Sequence, residues 1–143
     1  MKKVFKRLCW IVAGLFVLIQ LAPYGRDHHA GTGNVEPKWD SPRTRELAVC
    51  ACFDCHSNQT VWPWYSFVAP ISWLVYHDVV EGREHLNFSE FDARQRNADE
   101  CEDQIRSGEM PLWIYTVMHS DARLSEKESE ELAGGLEHMF NDK

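Results

Sequence analysis

Basic residues are scarce once the first seven positions have passed. Lys2, Lys3, Lys6 and Arg7 are four of the 15 lysines and arginines, which leaves 11 against 22 acidic residues, or −11, for the rest of the chain. Binding to phosphate backbones needs cationic surface, so this balance excludes nucleic acid as a partner. An acidic surface serves solubility first, and it can also steer a basic protein partner. Period-2 alternation of apolar and polar residues is absent, as are internal repeats and low-complexity segments, which excludes a sheet-built or solenoid fold. Aliphatic residues are few for a chain of 143, whereas six tryptophans and seven phenylalanines are present. Such a core is thin unless the aromatics pack against something large and flat.

What is there divides into three stretches. Leu8 to Ala22 runs fifteen residues without a charge after the basic start. That is shorter than the roughly 20 residues that span a bilayer readily, yet Pro23 directly after Ala22 disfavours cleavage there. The expectation is an uncleaved signal-anchor helix over residues 1–23, with the basic end in the cytoplasm. Export after cleavage is the alternative. Residues 24–40 hold three glycines, a proline and no apolar periodicity, which reads as a tether in which His28 and His29 are solvated. Residues 41–143 then form one folded domain.

Helical signals recur through that domain. Ser41 followed by Pro42 is a helix start, with Leu47 and Ala51 on one face. Ile71, Leu74, Val75 and Val79 have helical spacing, as do Ala98, Cys101 and Ile105 before Gly108. Pro111 to His119 reads as a short apolar helix. Ser125 and Glu128 have capping-box spacing, and Leu132, Leu136 and Phe140 form the inner face of a closing helix. Gly134 and Gly135 weaken that helix but permit close approach of another. The fold class is all-α.

The densest chemistry lies in Val49 to Trp64, VCACFDCHSNQTVWPW. Cys52-Phe53-Asp54-Cys55-His56 is C-x-x-C-H, the attachment pattern of c-type haem. Two thiols three residues apart can each add to one haem vinyl group, and the following histidine can supply an axial nitrogen to the iron. A zinc site made of Cys50, Cys52, Cys55 and His56 is the rival, though four ligands within seven residues are crowded for a tetrahedral cage. Thioredoxin-like redox chemistry lacks a βαβ pattern beside it. Cys50 is left for a disulfide, with Cys101 as a candidate partner. One covalent haem per chain follows, and because c-type attachment takes place outside the bacterial cytoplasmic membrane, the anchor implies a single-pass inner-membrane protein with a periplasmic domain.

Iron with one protein ligand takes a second, and Met110, Met118, Met139, His77, His85 and His119 are candidates. Met110 stands out, because Gly108 and Pro111 bound its loop and a thioether there can close the distal face. Met118 and Met139 lie on apolar faces, where methionine ordinarily fills core space.

The stretch ACFDCHSNQTVWPWYSFVAPISWLVYHDVVEGREHLNFSEF closely resembles a family of bacterial haem-binding domain proteins with one C-x-x-C-H followed by S-N-x-T-x-W-P-W-Y. SGEMPLWIYTVMHSDARLSEKE resembles that family's G-x-M-P segment and final helix start, so the resemblance covers residues 37–140. It implies a cytochrome c-like helical domain around one haem, with Cys52 and Cys55 as thioethers, His56 as proximal ligand and Met110 as distal ligand. Cys50 departs from the family pattern. Trp62, Trp64, Trp73 and Trp113 are candidates for packing on the haem, and Arg83 and Arg94 are either propionate partners or members of a solvated helix face.

The function expected is one-electron transfer with redox partner proteins of basic surface, with no residue catalysing bond chemistry and the membrane engaged through the N-terminal helix. A peroxidase-like enzyme is the alternative, and it needs an open distal position with His77, His85 or Glu109 as acid/base group. A haem-based sensor is the third reading.

Overall fold

A computed structural model describes residues 1–141. Seven α-helices and three 3-10 turns form over these residues, and extended pairing is confined to one parallel bridge between Val35 and Glu90. The all-α class read from periodicity is the one observed. Residues 1–29 and 62–78 make one compact unit, and residues 30–61 with those from 79 onward make another.

In the first unit α1 spans Lys2–Ile19 and buries none of its residues. The four cations lie inside this helix rather than ahead of it. Its uncharged part, Leu8 to Ile19, is therefore about 18 Å long, against a hydrocarbon core of about 30 Å. No helix among the described residues is long and apolar enough to cross a membrane. This corrects the expected signal-anchor over residues 1–23, and with it the single-pass inner-membrane location and the periplasmic orientation argued from it.

Beyond α1 the Gln20 amide both donates to the Ala69 carbonyl (2.9 Å) and accepts from the Ala69 N–H (3.0 Å). His28 is not solvated as expected. Its ring stacks on Trp62 at 4.0 Å, meets Phe67 edge-on at 4.4 Å, and donates through Nε2–H to the Ser66 carbonyl. His29 is exposed beside Asp27. α4, Ile71–His85, begins in this unit and ends in the other. Of its expected inner face, Val79 is buried and Val75 half-buried, while Ile71 and Leu74 stay 49% and 44% exposed.

The second unit holds the main core: Leu47, Ala48, Phe53, Leu86, Phe88, Ile105, Leu132, Ala133 and Leu136. α2 (Pro42–Ala51) starts as expected, with proline in its first turn and the Ser41 hydroxyl accepting from the Thr44 N–H at 3.1 Å. α3 (Phe53–His56) follows after one residue. α5 (Cys101–Arg106) follows a 3-10 turn at Ala98–Glu100 and ends before Gly108, whose φ of 76° suits glycine. α6 is Trp113–Met118 and α7 is Glu126–Asn141. The capping box forms in both directions: the Ser125 N–H donates to Glu128 Oε2 (3.0 Å), and the Glu128 N–H donates to Ser125 Oγ (3.3 Å). α7 packs on α5 and α2. A Cβ on Gly135 would run into the Thr44 side chain, so the expected close approach occurs there.

Glu36 braces the entry to α2. Arg45 donates to both its carboxylate oxygens at 2.7 Å, and Trp39 Nε1–H donates at 2.8 Å. The Arg45 hydrogen bond holds the Glu36 carboxyl below its ordinary value, with partial burial acting the other way. A folded-state value that is lowered gives stability present above the unfolded pKa and lost as pH falls through the folded one. Glu36→Gln is therefore less stable than wild type at about pH 7, and the urea midpoints of the two converge below about pH 4.

Candidate functional site

The C-x-x-C-H segment forms one tight turn. Cys52 leaves helical geometry with φ −121°, and its carbonyl accepts from the N–H groups of both Cys55 (3.1 Å) and His56 (2.8 Å). Phe53 anchors the turn from inside, 4% exposed and stacked on Phe88 at 5.7 Å. Cys52, Cys55 and His56 are left half-buried, separated by the three and four residues that share one side of a helical turn. Burial pushes the Cys52 thiol up to about 12, and the neighbouring Cys55 and Cys50 thiols add to that shift. Cys52 is therefore a neutral thiol at physiological pH.

His56 is oriented by backbone. Its Nδ1–H donates to the Leu86 carbonyl at 3.0 Å, and the His56 carbonyl accepts from the Phe88 N–H at 2.8 Å. A proton fixed on Nδ1 leaves the lone pair on Nε2, the arrangement a metal-ligating imidazole adopts. Burial lowers the pKa of His56, against the pull of the Leu86 and Gly82 carbonyls, so the ring is held neutral.

The acceptor segment is itself braced. Asn87 Nδ2–H donates to Asn58 Oδ1 (3.0 Å), the Asn58 N–H to Ser89 Oγ (3.0 Å), and the Ser89 N–H to Asn87 Oδ1 (2.9 Å). Asn58 Nδ2–H also donates to Glu90 Oε1 at 2.7 Å. A buried polar network with its partners in place rigidifies what it surrounds. Arg83 donates to the Ser57 carbonyl and to Thr60 Oγ1, both at 2.8 Å, which corrects the reading of Arg83 as part of a solvated face. Arg94 is exposed. Gly82 lets α4 lie directly on the motif turn, since a Cβ there would meet the Cys55 carbonyl oxygen at 2.8 Å.

Asp54, between the two cysteines, ties in two further segments. Its Oδ1 accepts from the Val61 N–H at 2.9 Å, and its Oδ2 accepts from Tyr115 Oη–H of α6 at 2.7 Å. Burial first, and this bond second, push the Tyr115 phenol far above its ordinary value, so it stays a donor. Met110 lies four residues after α5 ends, half-buried against the main core, with its N–H donating to the Gln104 carbonyl at 3.0 Å. Met139 also packs on that core, but Met118 is 59% exposed rather than a core filler.

The tryptophans divide. Trp113 in the second unit is 75% exposed, while in the first unit Trp64 is 77% exposed and Trp62 carries the His28 stack. Trp73 Nε1 is buried without a partner. No disulfide forms among the described residues: Cys50 Sγ–H donates to the Asp121 carbonyl at 2.8 Å and Cys101 Sγ–H lies 3.7 Å from Glu102 Oε2, so Cys50 does not take the disulfide role for which Cys101 was a candidate partner.

The donor set suits a haem better than a bare ion. Among the described residues, no three His, Cys, Asp or Glu side chains converge as a metal-ion cage, so the crowded zinc reading has no geometric support. Two thiols and a neutral imidazole whose Nδ1 proton leaves the lone pair on Nε2, on one tight turn, are the groups a covalent haem requires. Sequence reasoning missed Leu86, Gly82, Asp54 and Tyr115, although Asp54 stands inside the motif itself.

A family model described as a haem-binding domain matches residues 14–138 of the chain. Neither the curated proteins nor the solved structures contain a match to it.

Proposed function

The chain belongs to the haem-binding domain family, and from that premise we propose that it is a one-haem c-type electron-transfer protein. The observation that supports this best is the Nδ1–H bond from His56 to the Leu86 carbonyl within the C-x-x-C-H turn. It presents Nε2 as a donor on the residue that follows the second cysteine. Cys52 and Cys55 hold the haem by thioethers, His56 is one axial ligand, and Met110 is the other. The haem supplies the one-electron couple between ferric and ferrous iron. The protein supplies ligation, burial and an orienting shell that strengthens the imidazole as a donor. Trp113, exposed in the same unit as the motif turn, offers aromatic surface for packing on the ring. With a net charge of −7, the redox partner is a protein of basic surface.

No observation favours the peroxidase-like reading. His85 is exposed and donates through Nδ1–H to Asn97 Oδ1 at 2.6 Å, and both His77 and Glu109 are exposed.

Visible spectra of the haem-loaded protein test the ligation. Wild type shows the long-wavelength sulfur-to-iron band when oxidised, and its reduced form ignores carbon monoxide. Met110→Ala loses that band and binds carbon monoxide readily. A wild type that already binds carbon monoxide would move the reading to an enzyme or sensor.

A further inference from the structure

α6 has little of its own to hold it in place. Six residues are too few for a stable isolated helix, and none of them is fully buried, Tyr115 and Thr116 being half-buried. Most of its hydrogen bonds are local: Thr116 Oγ1–H to the Trp113 carbonyl (3.0 Å), His119 Nδ1–H to the Tyr115 carbonyl (3.1 Å), and Arg123 Nη2–H to the Thr116 carbonyl (3.0 Å). Its distant tie is Tyr115 Oη–H to Asp54 Oδ2, across 61 residues, onto the residue between the two attachment cysteines. Just beyond α6, the Cys50 thiol holds the Asp121 carbonyl in the next 3-10 turn. Residues 113–122 are thus pinned twice to the α2–α3 corner that carries Cys52, Cys55 and His56. Met110 sits three residues upstream of this pinned segment, fixed on its other side by the Gln104 carbonyl.

We propose that Tyr115 is a positioning residue for the sixth haem ligand: its bond to Asp54 anchors α6 and so holds the Met110 turn closed. The inference rests on the reading of Met110 as ligand. A hydroxyl donating to a carboxylate is among the stronger neutral-to-charged bonds. When it is removed the Met110 turn keeps its tie to α5 and loses the anchor that follows it. Met110 then leaves the iron more often without any change to the covalent attachment.

The test is an imidazole titration of the oxidised, haem-loaded protein, followed in the visible spectrum at a temperature where every variant is folded. Tyr115→Phe should bind imidazole about tenfold more tightly than wild type, retaining its sulfur-to-iron band before imidazole is added. Met110→Ala should lack the band and bind imidazole more tightly still. Thr116→Ala, which removes a bond local to α6, should stay within about twofold of wild type. If Met110→Ala gains affinity but Tyr115→Phe does not, the positioning role is overturned while Met110 stands. Should Met110→Ala keep the band and the wild-type affinity, the ligand assignment itself fails. Asp54→Asn provides a second route if Tyr115→Phe does not load with haem. Its single carbonyl oxygen cannot replace both carboxylate acceptors, so an intermediate gain is expected and wild-type affinity would overturn the role.

Discussion

On the proposed two-thioether attachment, replacing both Cys52 and Cys55 with serine should leave the chain with no covalently held haem, while either single replacement should leave it attached by one thioether. Serine is close to cysteine in shape, but its hydroxyl does not add to a vinyl group under conditions where a thiol does. The turn itself is held by the Cys55 and His56 N–H groups donating to the Cys52 carbonyl and by the buried Phe53 ring, none of which needs sulfur. Folding is therefore expected to survive, with a loss of about 1 kcal/mol for each half-buried thiol exchanged. Acid-acetone extraction of the purified proteins checks this: haem leaves the double variant and stays with wild type. Haem resisting extraction from the double variant would place the attachment elsewhere.

Gly82→Ala should damage the site as severely by a different route. Alanine favours a helix interior over glycine by about 1 kcal/mol, so on propensity alone the change stabilises α4. The new Cβ would lie 2.8 Å from the Cys55 carbonyl oxygen and 3.3 Å from the Cys55 Cβ, and the first of these is backbone that cannot swing aside. Relief requires α4 and the motif turn to separate. That separation would also pull the Leu86 carbonyl, which follows α4, away from His56 Nδ1. Overpacking of this kind costs about 1–3 kcal/mol, and the sum is a net loss of stability. Chemical denaturation of the haem-free chain reads the stability, and haem content after maturation reads the site. A variant as stable as wild type with full haem content would show that the contact is not tight.

Local signals in this chain survive folding, and long-range ones were not visible beforehand. The Ser41 cap, the Ser125–Glu128 box, the glycine that ends α5 and the C-x-x-C-H turn all depend on residues within five positions of one another, and each forms. The Leu86 acceptor is a backbone carbonyl, which any residue type supplies, so composition carries no trace of it. Tyr115 reaches Asp54 across 61 residues, and nothing in its own neighbourhood marks it. The N-terminal reading failed for a physical reason: counting uncharged residues ignores that helix begins at Lys2, which places four cations within the helix that was to cross. Likewise, glycine and proline around His28 suggested a solvated tether, but Trp62 and Phe67 give its ring a place to stack. Periodicity in α4 marked Ile71 and Leu74 as inner residues, and their exposure shows that helical spacing identifies a face without saying what covers it.

Cys50 changes role in the structure. Read as a spare zinc ligand or a disulfide half, it instead donates to the Asp121 carbonyl and helps pin the segment after α6. The odd thiol beside Cys52 and Cys55 is thereby occupied.

The most direct test is the intact mass of the chain purified after expression with a c-type haem maturation system, read together with its alkaline pyridine spectrum. One covalently bound haem per chain, with the absorption of a haem joined through two thioethers, is the predicted result. An unmodified mass, with haem that extracts freely or one zinc ion in its place, would contradict it.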